Sequence, residues 1–216
     1  MSEEIEVIAG LPAIMDGPRR GRRTLVLAHG AGAGMEHDFM RRIATGVAAD
    51  GIRVVRFEFP YMAARREGRR PGPDREPVLR SSWTDVIGAL GRPERLVIGG
   101  KSMGGRYASM VADGSGVAGV VCLGYPFHPP GRPERVRTAH LEGQRTPTLI
   151  LQGERDALGT RDDVAGYRLS SAVRVQWLPD GDHSLKPRKT SGYTYDHHLD
   201  TAIQATIAFV REQVSG

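Results

Sequence analysis

Short runs rich in valine, isoleucine and leucine recur along this chain, each closed by glycine or a turn and followed by a stretch with helical spacing. Few folds accommodate that alternation. TLVLAHG (24–30), IRVVRFEF (52–59), RLVIGG (95–100) and VAGVVCLGY (117–125) read as buried strands, and TPTLILQG (146–153) and VRVQWLPDG (173–181) follow. Their β-branched content and glycine ends separate them from buried helix. Helices are expected between them, around 37–49, 82–90, 103–113, 161–170 and 197–213. In the last, Leu199, Ile203, Ile207 and Val210 recur at three- and four-residue steps and share one face. The expected fold class is α/β, a mostly parallel doubly wound sheet flanked by helices. EIEVIAGLPAIMDG (4–17) adds an edge strand or hairpin, and the Arg, Gly and Pro-rich ARREGRRPGPDREP (64–77) is expected to be a surface loop.

A chain of 216 residues suits a single domain, 1–216, with a sizeable core, and no insertion is large enough for a separate cap. Thirty basic against 25 acidic side chains leave a net charge of only +5, and no stacking aromatics interleave with the basic residues, which argues against a nucleic-acid partner. The single cysteine, Cys122, sits in an apolar run and excludes an intrachain disulfide, in keeping with a reducing cytoplasm. The acidic MSEEIEVIAG lacks the apolar core of a signal peptide, and no apolar stretch approaches roughly 18 residues, so a cytoplasmic protein off the membrane is expected. His197 and His198 are adjacent and lack metal-ligand spacing, so neither a metal nor a cofactor is expected.

The chemistry concentrates in RLVIGGKSMGGRYASM (95–110). Its GKS invites a phosphate-loop reading, but that pattern needs a glycine five residues before Gly100, where the chain has Arg95. The G-x-G-x-x-G fingerprint fails on spacing too. G-x-S-x-G does fit, as Gly100-Lys101-Ser102-Met103-Gly104, directly after a strand and before an apolar helix. There the serine takes strained backbone geometry, small neighbours let strand and helix approach, and the helix N-terminus favours developing negative charge.

A serine nucleophile needs a base and an acid, and both follow at strand ends in that order. Asp156 lies in ERDALG beyond the strand at 146–153, and His183 lies in DHSL beyond the strand at 173–181. Ser102 would pass its proton to His183, with Asp156 fixing the imidazole tautomer. Asp162, Asp163 and Asp180 compete with Asp156 for the acid role, and Asp182 reads as a turn residue. Oxyanion donors are expected from the N–H of Met103 and from LAHGAGAG (27–34), where Ala31 is favoured over Gly32 and His29 packs beneath the loop.

With these pieces together the sequence resembles the α/β-hydrolase family over roughly 24–213, and more closely the small lidless hydrolases related to dienelactone hydrolase and the KANSL/TEX-type hydrolase-like domains. The resemblance implies a nucleophile at Ser102, acid at Asp156, base at His183, oxyanion donors at Ala31 and Met103, and minimal or no cap. Dienelactone hydrolases proper use a cysteine nucleophile, whereas this elbow carries serine.

Rim loops set specificity in such sites. Tyr61, Lys186 and Tyr193 are the substrate-binding candidates, and YPFHPPGRP (125–133) also borders the expected cleft. Arg65, Arg66, Arg69 and Arg70 are read as a solvated run. The expected activity is cleavage of an ester, or of a thioester or amide, on a small acyl substrate. The alternative is a hydrolase-fold scaffold that binds a protein or ligand. Oligomeric state is not legible.

Overall fold

The computed structural model describes residues 4–214. An antiparallel hairpin of β1 (Glu6–Ile8) and β2 (Leu11–Asp16) leads into β3 (Thr24–Ala28), β4 (Arg53–Phe57), β5 (Leu96–Lys101), β6 (Gly119–Leu123), β7 (Thr148–Gly153) and β8 (Val173–Leu178). The helices are α1 (Asp38–Ala48), α2 (Pro60–Arg66), α3 (Glu76–Leu90), α4 (Met103–Ser115), α5 (Arg161–Ala165) and α6 (Tyr195–Gln213). All eight strands form one sheet in the order β1-β2-β4-β3-β5-β6-β7-β8. Every pairing from β4 to β8 is parallel.

Each interior strand is apolar on both faces because both faces are covered. Leu25, Leu27, Val97 and Val121 point into the layer under α1 and α6, while Val26, Ile98, Val120 and Cys122 point into the layer under α3 and α4. Leu199, Ile203, Ile207 and Val210 of α6 are all buried, as their spacing predicts. From β3 the chain runs outward to β4, then crosses back to β5 on the other side of β3. That reversal separates the loops after β3 and β5 and opens a crevice at the carboxyl ends of the strands.

Three elements depart from expectation. Arg65 and Arg66 belong to α2, which starts with Pro60 in its first turn, where the missing N–H costs nothing. Neither is a free surface charge: the Arg65 Nη2 donates to the Pro71 carbonyl at 2.8 Å, and Arg66 pairs with the buried Glu58 and with Glu36. α3 begins at Glu76 rather than 82, again with a proline in its first turn. α5 opens with a capping box between Thr160 and Asp163 and stops at Ala165, short of 170, with Gly166 at its C-terminal end. The edge hairpin is fastened by Arg56, a fully buried cation on β4 that holds Asp16 of β2 through two parallel bonds of 2.8 and 2.9 Å. Among the described residues no helix is long and apolar enough to cross a membrane.

Candidate active site

β5 ends at Lys101, and the backbone turns so sharply into α4 that Ser102 takes φ 51° and ψ −112°. A positive φ at a residue with a side chain is strained and persists only where the surroundings enforce it. Here α4 is pressed against the neighbouring strand: a Cβ on Gly100 or on Gly104 would overlap the Ala28 carbonyl oxygen. The Ser102 N–H is held by the Leu123 carbonyl at 3.1 Å, which fixes the turn against β6.

Two more strand ends deliver its partners. His183, in the loop after β8, accepts from the Ser102 Oγ at Nε2 over 2.9 Å and donates from Nδ1 to Asp156 Oδ2 over 2.7 Å. Asp156, in the loop after β7, is completely buried. Its second oxygen accepts the Leu158 N–H at 2.8 Å, and Gln152 Nε2 donates to Oδ2 at 2.9 Å. Gln152 is itself held, accepting from the Tyr125 N–H at 2.7 Å. Two of the rival carboxylates are occupied elsewhere. Asp163 caps α5, and Asp180 is held down to about 2 chiefly by its hydrogen bond with Arg188. Asp182 accepts the N–H groups of Ser184 and Lys186, shaping the turn that carries His183.

The loop after β3 forms the opposite wall. His29 is buried beneath it, donating from Nδ1 to the Gly30 carbonyl at 2.6 Å and accepting the Phe59 N–H at Nε2, and burial keeps the ring neutral by lowering its pKa. Tyr61 directs its hydroxyl at the carbonyls of Gly30 and Ala31, at 3.1 and 3.0 Å. With those carbonyls tied down, the loop is anchored from below while Ala31 lines the cavity beside Ser102. Met103 is the first residue of α4, whose N–H has no carbonyl within the helix to bond.

That cavity measures 310 Å³, at the small end of ligand sites, and its wall is largely apolar, built by Ala31, Ala33, Phe39 and Met40 with Lys101 and His183. The substrate-binding candidates fare differently from expectation. Tyr61 is buried to 2 % exposure and acts on the loop rather than facing the cavity. Lys186 points to solvent, and Tyr193 is 42 % exposed and lies alongside His197 and His198; neither lines the cavity. Their place is taken by Phe39 and Met40 of α1, whose helical spacing reads as core, and by Lys101, whose Nζ reaches across to donate to the His183 carbonyl at 2.7 Å. Lys101 was visible in the elbow motif, but only the fold reveals where its side chain goes. Burial pulls its ammonium down to about 8, against the opposing pull of Asp156 and Asp182.

A family model described as "Alpha/beta hydrolase domain" matches residues 21–211. Among solved structures, XC6422 from Xanthomonas campestris, described as an α/β serine hydrolase without lid, superposes with a TM-score of 0.70 at 19 % identity, over 99 % of this chain and 96 % of that one. TT1662 from Thermus thermophilus gives 0.69 at 18 % identity over the whole of both chains. Est1E from Butyrivibrio proteoclasticus gives 0.68 at 14 % identity, again over both chains entirely.

Proposed function

The chain belongs to the alpha/beta hydrolase domain family, and on that premise we propose that it is a serine hydrolase cleaving a carboxylic ester of a small acyl group through an acyl-Ser102 intermediate. The observation that carries this reading is the unbroken chain of hydrogen bonds from buried Asp156 through His183 to a strained Ser102.

In the first half-reaction Ser102 Oγ attacks the ester carbonyl carbon while its proton passes to His183 Nε2. Asp156 holds Nδ1–H in place and stabilises the imidazolium. The carbonyl π electrons move onto oxygen, where the N–H groups of Met103 and Ala31 receive the negative charge. Collapse of the tetrahedral intermediate breaks the bond to the alcohol oxygen, which leaves with the His183 proton. In the second half-reaction a water molecule gives its proton to the same nitrogen, attacks the acyl-enzyme, and releases the acid and free Ser102. A thioester or amide follows the same steps with a sulfur or nitrogen leaving group. The acyl group sits in the cavity beside Phe39 and Met40, whose volume suits a short chain.

The test is mass spectrometry after exposure to a fluorophosphonate. One adduct on Ser102, missing from a folded Ser102→Ala variant, is the expected result, together with a loss of ester hydrolysis of roughly 10⁴-fold or more in that variant. An unmodified, folded wild-type protein would overturn the hydrolase reading in favour of a binding scaffold.

A further inference from the structure

Residues 124–147 join β6 to β7 along the side of α4, and their contacts step toward the nucleophile one helical turn at a time. Farthest from it, the Asp113 carboxylate accepts the N–H groups of Arg145 and Thr146, the latter at 2.8 Å. One turn nearer, Ser109 Oγ meets His140 Nε2 at 2.9 Å. A turn nearer again is Arg106, whose N–H donates to the Ser102 carbonyl at 2.9 Å. At that level the connection has reached Arg137, whose guanidinium is held below its usual value by burial and then by the charge of Arg106. Each turn advances about 5 Å along the helix. Arg137 N–H closes onto the Phe127 carbonyl at 2.7 Å, so 128–136 form a closed excursion from the connection.

This excursion encloses an open cavity of 500 Å³ with Arg132, Arg135 and Arg137 in its wall and Glu134 the single acidic side chain there. Many arginines of this protein have carboxylate partners, among them Arg42 with Asp196, Arg56 with Asp16 and Arg161 with Glu154. Among the described residues, Arg106, Arg132, Arg135 and Arg137 have none. The Arg106 Nε is moreover buried without an acceptor. His140 beside them supplies no negative charge and remains neutral, held down to about 4 by burial and by the charges of Arg106 and Arg80. Three guanidiniums against one carboxylate leave that wall with an excess of positive charge, which an anion between them offsets.

We propose that Arg106, Arg132, Arg135 and Arg137 form an anion subsite for a phosphate group carried by the leaving group of the substrate, an inference that rests on the hydrolase reading above. A carboxylate is satisfied by one bidentate guanidinium, whereas several planar forks suit the oxygens of a phosphate or pyrophosphate. The direction also fits. The acyl cavity lies toward Phe39 and Met40 of α1, on one face of the sheet, and Arg106 belongs to α4, which covers the other. A substrate with its carbonyl at Ser102 therefore extends its two halves to opposite sides.

Two measurements test this. In the first, kcat/KM at low salt is compared for butyryl-coenzyme A and the neutral thioester S-butyryl-N-acetylcysteamine. The wild type is expected to favour the phosphorylated substrate at least tenfold, mainly through KM, and that ratio is expected to fall toward one in Arg106→Gln/Arg137→Gln. Should that pair fail to fold, the exposed pair Arg132→Gln/Arg135→Gln gives the same reading. A wild-type ratio of one, or a ratio unmoved by the substitutions, overturns the subsite. In the second, inorganic pyrophosphate is titrated calorimetrically and as an inhibitor. Binding that competes with the coenzyme A thioester and is lost in the variants supports the proposal, and no binding at low salt, or binding without competition, overturns it. Failure of the hydrolase reading looks different: neither thioester turns over and Ser102 takes no fluorophosphonate.

Discussion

Lys101 carries a charge where there is little water to support it. Its ammonium is pulled from 10.5 to about 8 by burial and bonds the His183 carbonyl. Because the folded-state pKa lies below the unfolded one, the unfolded chain binds more protons between the two values. Stability therefore rises as pH climbs from about 8 to 10.5, and at neutral pH the charge costs folding on the order of 3 kcal/mol. Lys101→Met removes that cost and forfeits about 1 kcal/mol of hydrogen bond. The expected result at pH 7 is a higher Tm by calorimetry with a lower kcat, since the loop bearing His183 loses its tie to the elbow. A variant both less stable and equally active would contradict this assignment. Tyr61→Phe separates a different role: freeing the Gly30 and Ala31 carbonyls is expected to lower kcat by up to about tenfold with KM little changed, in steady-state assays on a short ester. Ser102, Asp156 and His183 stood out in the sequence because a glycine pattern and the order of strand ends announce them. Gln152, Tyr61 and the reach of Lys101 did not, because the direction of a side chain depends on neighbours distant in sequence.

At the scale of elements, the ion pair between Arg56 and Asp16 joins an antiparallel hairpin to a parallel sheet. Arg56 is fully buried and Asp16 nearly so. Removing the carboxylate breaks a buried, bidentate ion pair, and Asp16→Ala is expected to lower unfolding stability by roughly 3–5 kcal/mol in urea titrations. An exposed pair such as Arg69 with Glu67 contributes little by comparison. The strand positions were legible because burial on both faces demands unbroken apolar runs, and β3, β6 and β7 are buried at every residue. α2 and the start of α3 were hidden because proline and arginine dominate them. Both prolines stand in a first turn, where proline is compatible with a helix, and Arg65 and Arg66 hold partners within the protein, the Pro71 carbonyl and the Glu58 carboxylate.

For the molecule as a whole, the sheet order places the carboxyl ends of β3, β5, β7 and β8 along one edge, and the loops from these strands bring Ala31, Ser102, Asp156 and His183 to it. The connection after β6 packs along α4 without a helix of its own, and Ser102 and His183 are partly exposed. A site of this kind has nothing to open before substrate enters. Initial rates against tributyrin should therefore follow one hyperbola through the solubility limit, with no jump when emulsion droplets appear. A hydrolase whose nucleophile is covered in water accelerates at that point, because the interface supplies the free energy that moves the cover. A sharp rise here would mean that the excursion at 128–136 folds over the cleft in solution. A smooth curve would mean that access is set by the fixed walls at Phe39, Met40 and the loop after β3.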